Sequence, residues 1–132
     1  MKKFLLDSSF VIDFLNEVAA GSPGLAMRWL ERHSSAQLWI SPVTLAEVLE
    51  GADDAQAVRD YLVRYAWQGI HRAHADKVAL RQRRASRRMG ENDAWQAAIA
   101  EQMGAAIVAH DANAFSRLGE RYEDYRCEVS QE

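Results

Sequence analysis

Four acids in this chain stand at the ends of expected elements. Asp7 closes the apolar run Phe4-Leu5-Leu6, and Glu47 lies in the second turn of a helix opened by Ser41-Pro42. Asp93 follows the break Gly90-Glu91-Asn92, and Asp111 follows the apolar run Ala105 to Ala109 after one intervening residue, His110. Gathered together, such carboxylates repel: two unit charges about 5 Å apart cost roughly 3 kcal/mol at an effective dielectric near 20. A domain whose whole stability is about 5–15 kcal/mol does not easily carry several such pairs. The cluster must take up protons or a cation. Oxygen ligands without histidine or thiolate suit Mg2+ or Mn2+ rather than zinc. A hard cation held this way polarises a phosphate and acidifies a bound water, the requirements of phosphoryl chemistry. Taken singly, each acid reads equally as a cap, a turn residue or a solvated helix charge, and Glu50 competes with Glu47.

The elements that must position these acids are legible from spacing. Phe4 to Leu6 reads as a buried strand, with Ser8 or Ser9 capping a helix from about Ser9 to Val18. In open α/β sheets ligands gather at the carboxyl ends of strands, which directs attention to Asp7. The turn Gly21-Ser22-Pro23-Gly24 leads to a second helix, about Leu25 to His33. Leu38-Trp39-Ile40 suits a second strand, and Ser41-Pro42 looks like an N-cap with proline at the first helical position. That helix ends at Gly51 and packs Leu45, Val48 and Leu49, which puts Glu47 roughly 200° around from Leu45 and Leu49. A fourth helix is expected from Asp53 to Tyr65 and an extended stretch near Trp67 to Ile70. A fifth helix is expected from about Ala73 to Met89 and a sixth from Asp93 to Met103. Ala105 to Ala109 is a fully apolar strand, and Tyr122 to Val129 offers an edge strand. Strands interleaved with helices predict a mostly parallel sheet covered on both faces.

At 132 residues the chain suits one domain spanning 1–132. No apolar run reaches membrane-span length, and no secretory signal is expected after Lys2 and Lys3. The single cysteine, Cys127, excludes an internal disulfide framework and fits a reducing cytoplasm. A net charge of −3 argues against holding polyanions by overall charge. The distribution differs from the total. From His71 to Arg88 seven Lys/Arg face one acid, Asp76, while the remaining residues carry nine bases and eighteen acids.

Leu6-Asp7-Ser8-Ser9, Thr44 to Gly51, Asn92-Asp93-Ala94-Trp95-Gln96-Ala97-Ala98 and Ala109-His110-Asp111 through Phe115 together resemble the four acidic motifs of PIN-domain ribonucleases. Their order and spacing look most like VapC-type toxins of toxin–antitoxin pairs. The resemblance implies an α/β fold, PIN-like and three-layer α/β/α, with a central mostly parallel sheet of four to five strands. It further implies a Mg2+- or Mn2+-dependent endoribonuclease cutting structured RNA such as tRNA or rRNA, a homodimer, and a cognate antitoxin that blocks the site. Asp7, Glu47, Asp93 and Asp111 then become the catalytic and metal-binding set, and Ser9 a small polar neighbour of the first acid and a candidate substrate contact. Ala109 and Ala114 depart from the pattern, where a hydroxyl and an acid are usual.

Arg81, Arg84 and Arg88 fall on one face of the expected fifth helix and could grip RNA phosphates; otherwise they are a solvated face. His71 and His74, an i, i+3 pair, read as surface residues. The four tryptophans read as mostly core. A haloacid-dehalogenase-like phosphatase is excluded because Ser9 stands where its general acid belongs. The alternative of another class is a non-catalytic PIN-type RNA- or protein-binding module.

Overall fold

The computed structural model describes residues 2–127. In chain order the elements are β1 (Lys3–Leu6), α1 (Ser8–Ala20), α2 (Leu25–Arg32), β2 (Gln37–Ile40), α3 (Pro42–Glu50), α4 (Ala55–Leu62), β3 (Ala66–Trp67), α5 (Arg72–Arg84), α6 (Glu91–Met103), β4 (Ala106–Ala109), α7 (Ala112–Phe115) and, after a 3₁₀ segment (Ser116–Arg121), β5 (Tyr122–Asp124). The five strands form one sheet in the order β3-β2-β1-β4-β5, and every pairing is parallel. Phe4 of β1 stands opposite Leu38 on one side and Ala106 on the other.

Successive residues of a strand point to opposite faces, and here both faces are covered. Phe4, Leu6, Ala106 and Val108 enter one core with Phe10, Phe14, Trp29, Val48, Leu62 and Tyr125. Leu5, Ile107 and Ala109 enter a second core with Val78, Met89, Ile99, Phe115 and the alanines of α6. Burial on both sides is why these strands read as unbroken apolar runs. The result is the expected three-layer α/β/α arrangement.

The chain leaves β1 toward β2 and β3, then crosses to β4 and β5 on its other side. A crevice therefore opens at the carboxyl ends between β1 and β4, as it does wherever strand order reverses. The peptide N–H of Asp7 donates to the Val108 carbonyl at 3.0 Å, which extends this pairing to the rim of the crevice.

Several boundaries differ from the sequence expectation. Asp7, rather than Ser8 or Ser9, caps α1, because both serine hydroxyls are committed elsewhere. α2 has glycine at its N-cap; the Glu17 carboxylate of α1 instead accepts the N–H groups of Gly24, Ala26 and Met27 at 2.8, 3.0 and 2.9 Å. α4 is shorter than expected and begins after an Asp54 cap. α5 stops at Arg84 instead of continuing to Met89. The Gln82 side chain exchanges two hydrogen bonds, both 2.9 Å, with the backbone N–H and carbonyl of Met89. This clasp folds 85–90 back as a loop and buries Met89 without helical periodicity. α6 begins at Glu91, so Asp93 lies inside its first turn, where the helix dipole favours an acid. Of the expected Tyr122 to Val129 strand, Tyr122–Asp124 forms β5, and the part beyond Cys127 lies outside the described residues. Among the described residues no helix is long and apolar enough to cross a membrane.

Candidate active site at the carboxyl edge of the sheet

β1 delivers Asp7 to the crevice with its carboxylate held from both ends. One oxygen accepts from the Ser9 hydroxyl at 3.0 Å and from the Ser9 N–H at 3.4 Å. The other accepts from the Gln96 side-chain amide at 3.3 Å. Asp7 is buried, and desolvation pushes its carboxyl above the usual range; the Gln96 and Ser9 donors pull back, and the Glu47 charge pushes further up.

Glu47 of α3 is half-buried, and its carboxylate accepts from Ser8 Oγ at 2.9 Å and from Asn92 Nδ2 at 3.2 Å. Glu50, its rival in the sequence, is exposed and outside these contacts. Asp111 caps α7 by accepting the Ala114 N–H at 3.1 Å, and its own N–H donates to the Tyr122 hydroxyl. Asp93 ties the set together. Burial raises its carboxyl to about 6, with further upward pushes from Asp7, Asp111 and Glu47 in that order. Asp7, Glu47 and Asp111 thus each lie within electrostatic reach of Asp93, and Asp7 and Glu47 of each other.

Among the described residues, no three acids, histidines or cysteines stand closely enough to hold an ion as they are. The donor set nevertheless fits a hard divalent cation. The candidate donors are carboxylate oxygens, and Asp93 keeps its proton up to about pH 6 because burial, and then the charges of Asp7, Asp111 and Glu47, disfavour its ionised form. A cation relieves the same repulsion that the proton relieves.

Opposite the acids stands a basic wall that the sequence located only in part. A cleft of about 230 Å³ is lined by Asp93, Asp111 and Asn113 together with Arg87, Arg88 and Arg117. A second cleft, lined by Arg81, Arg84, Arg87 and Arg117, shares two of these arginines. Arg117 donates to the Arg87 carbonyl at 2.9 Å and so pins the 85–90 loop against the 3₁₀ segment. The expected arginine face is corrected accordingly. Arg88 lies beyond α5 and pairs with Glu91 at 2.9 Å, while Arg81 is engaged by Glu101 at 3.2 Å. Arg84 remains exposed at the second cleft.

Other expectations resolve in the same way. The Ser9 hydroxyl, considered for substrate, donates to Asp7 and accepts from the His110 N–H at 3.2 Å. His74 is buried rather than on the surface; its Nδ1 accepts the His71 N–H at 3.0 Å in a capping box that starts α5. Burial, and then the neighbouring His71 and Lys77, lower its pKa. His110 is exposed and meets the Asp124 carboxylate at 3.1 Å. Trp29 is core, as expected, whereas Trp67 is 51% exposed. Sequence reasoning placed Arg87 only beside the arginine face and missed the parts played by Gln96 and Arg117. The signal for Gln96 was present: a polar residue on the inward side of an alanine-rich helix needs partners once buried.

A parallel sheet in this strand order, with acids from four elements at its carboxyl edge, defines a class, and the sequence agrees: residues 4–121 match the PIN domain, and the chain belongs to that family. No curated protein sequence matches it. Solved structures similar in fold include a toxin–antitoxin complex from Klebsiella pneumoniae, 23% identical, TM-score 0.75, covering 92% of this chain and 96% of that one. A DNA-bound VapBC from Salmonella typhimurium is 22% identical with a TM-score of 0.73, over 95% of this chain and 99% of the other. VapBC-1 from nontypeable Haemophilus influenzae is 20% identical with a TM-score of 0.72, over 93% and 98%.

Proposed function

We propose that this PIN-domain chain is a Mg2+- or Mn2+-dependent endoribonuclease, a VapC-type toxin that hydrolyses phosphodiester bonds in structured RNA such as tRNA or rRNA. The observation that carries the reading is Asp93, whose carboxyl is raised to about 6 by burial and by the charges of Asp7, Asp111 and Glu47. Such a perturbation in a cleft marks a place built for a cation or a proton. A divalent ion, when bound, supplies positive charge against the phosphate and makes water acidic enough to attack it.

The chain's own groups do the rest. Asp7 and Asp93, from β1 and α6, are the principal ligands, with Asp111 beside them. Glu47, oriented by Ser8 and Asn92, faces the same charge and completes the set. Arg87 and Arg117 line the acid cleft itself and hold the RNA backbone beside the reacting phosphate; Arg84 and Arg81 extend the contact through the second cleft. Arg88 contributes at the rim despite its pairing with Glu91. Ser9 acts by holding Asp7 rather than by touching RNA.

A cognate antitoxin is the proposed partner, in line with the toxin–antitoxin complexes of similar fold. An apolar cleft lined by Ile40, Leu45, Leu62, Val63, Tyr65 and Trp67 supports docking of a partner chain, antitoxin or second copy of a homodimer. The cytoplasm is the proposed location. The reading is tested by mapping RNA 5′ ends after induction and by assaying cleavage of a structured RNA with Mg2+, Mn2+ or EDTA. New 5′ ends that require the ion and disappear in folded Asp7→Asn support it. Equal growth arrest by Asp7→Asn points instead to a non-catalytic binding module.

A further inference from the structure

Gln96 is fully buried, at 0% exposure, where α6 meets Asp7 at the end of β1 and Thr44 of α3. Its amide contacts three groups. Nε2 donates to Asp7 at 3.3 Å and to Thr44 Oγ1 at 2.9 Å, and Oε1 accepts from Ser41 Oγ at 2.6 Å. The Thr44 hydroxyl is itself spent on the Leu6 carbonyl at 2.7 Å.

These bonds fix the direction of every proton. Thr44 has one hydroxyl proton and gives it to Leu6, so toward Gln96 it can only accept. Ser41 gives its proton to Oε1. The amide therefore cannot flip without setting its carbonyl against a threonine lone pair and a carboxylate. It faces Asp7 as a donor, and that orientation is imposed from β1 and α3 rather than by Asp7.

We propose that Gln96 is a positioning residue of the acid site: its amide aims the Asp7 carboxylate and holds β1, α3 and α6, the elements carrying Asp7, Glu47 and Asp93, at one spacing. The inference rests on the metal-dependent reading above. A side chain of similar volume without an N–H fills the space but leaves Asp7 held only through Ser9. Thr44 acts one bond further out. Removing its hydroxyl takes away one of the two protein groups that orient the amide, leaving Ser41 alone, while every atom touching Asp7 remains.

The test is Mn2+ binding alone, by calorimetry and by the electron paramagnetic resonance signal of free Mn2+, with folding followed by near-ultraviolet circular dichroism. The variants are Gln96→Leu, Thr44→Val and Thr44→Ser. Gln96→Leu is expected to fold and to weaken Mn2+ binding about 10-fold or more. Thr44→Val is expected to weaken it by a smaller factor, and Thr44→Ser, which keeps the hydroxyl, to restore it. A purely structural amide would lower the melting temperature in Gln96→Leu and Thr44→Val and leave Mn2+ affinity of the folded protein unchanged; that result overturns the proposal and leaves the nuclease reading intact. Wild-type protein that takes up no Mn2+ overturns both. Where Gln96→Leu does not fold, the Thr44→Val and Thr44→Ser pair decides the question by the same criterion.

Discussion

Replacing Asp93 by Asn should stabilise the metal-free protein at neutral pH, although it removes a residue assigned to the active site. A carboxyl whose folded pKa lies above its unfolded value stabilises the fold in its protonated form. For Asp93 that contribution is complete below 3.8 and is lost as pH rises through about 6. At full strength the displacement corresponds to about 3 kcal/mol. Asp93 is only half-buried, so solvent screening reduces the expected gain to about 1–2 kcal/mol. In a domain of this size that is a rise in Tm of roughly 3–8 °C. The assay is thermal unfolding of wild type and Asp93→Asn in EDTA from pH 4 to pH 8. The difference should be near zero at pH 4, grow between pH 4 and 6.5, and level off above. Mn2+ should then stabilise the wild type and leave the variant largely unmoved. A variant less stable than wild type at pH 7.5, or a gain undiminished at pH 4, would refute the argument that burial, together with like-charge crowding, sets the state of Asp93.

Glu17→Ala removes the carboxylate that accepts the N–H groups of Gly24, Ala26 and Met27 at the start of α2 and should cost about 2–3 kcal/mol in urea unfolding, because charge-assisted bonds are lost together. Tyr125→Phe keeps the ring packed on Phe10 but loses hydroxyl bonds to Asp13 and the Ser9 carbonyl; the cost should be about 1 kcal/mol by the same measurement. Arg87→Ala and Arg117→Ala should each weaken binding of a fluorescein-labelled RNA hairpin and lower the slope of log affinity against log salt by about 1. Arg83→Ala, on an exposed residue outside both clefts, should leave that slope unchanged.

Asp7 and Asp111 were legible as candidates because each follows an apolar strand whose pattern announces it. Phe4 to Leu6 and Ala105 to Ala109 are buried on both faces, so their ends are sharp in the sequence, and Asp7 and Asp111 follow directly. The arginines were misplaced for an equally physical reason. The 3.6-residue spacing of Val78, Ala85 and Met89 mimics a continuous helix, and nothing local shows that Gln82 will grasp the Met89 backbone and turn the chain back. Arg117 could not be paired with Arg87 from sequence, because thirty positions separate them and the contact is to a carbonyl. Gln96 carried a visible cue, burial of an amide, but its partners Ser41 and Thr44 come from α3 and only the fold brings them close.

The sheet order has a further consequence, for synthesis. β1 is made before the other strands yet lies at the middle of the sheet, and β4, which completes its other flank, is made after β2 and β3. Asp7 and Glu47 leave the ribosome long before Asp93 and Asp111, and the Asp7 N–H bond to Val108 waits for that late strand. A polypeptide interrupted before β4 thus carries three of the four acids, Asp7, Glu47 and Asp93, but no crevice, so the site is finished only after β4 and Asp111 have been made.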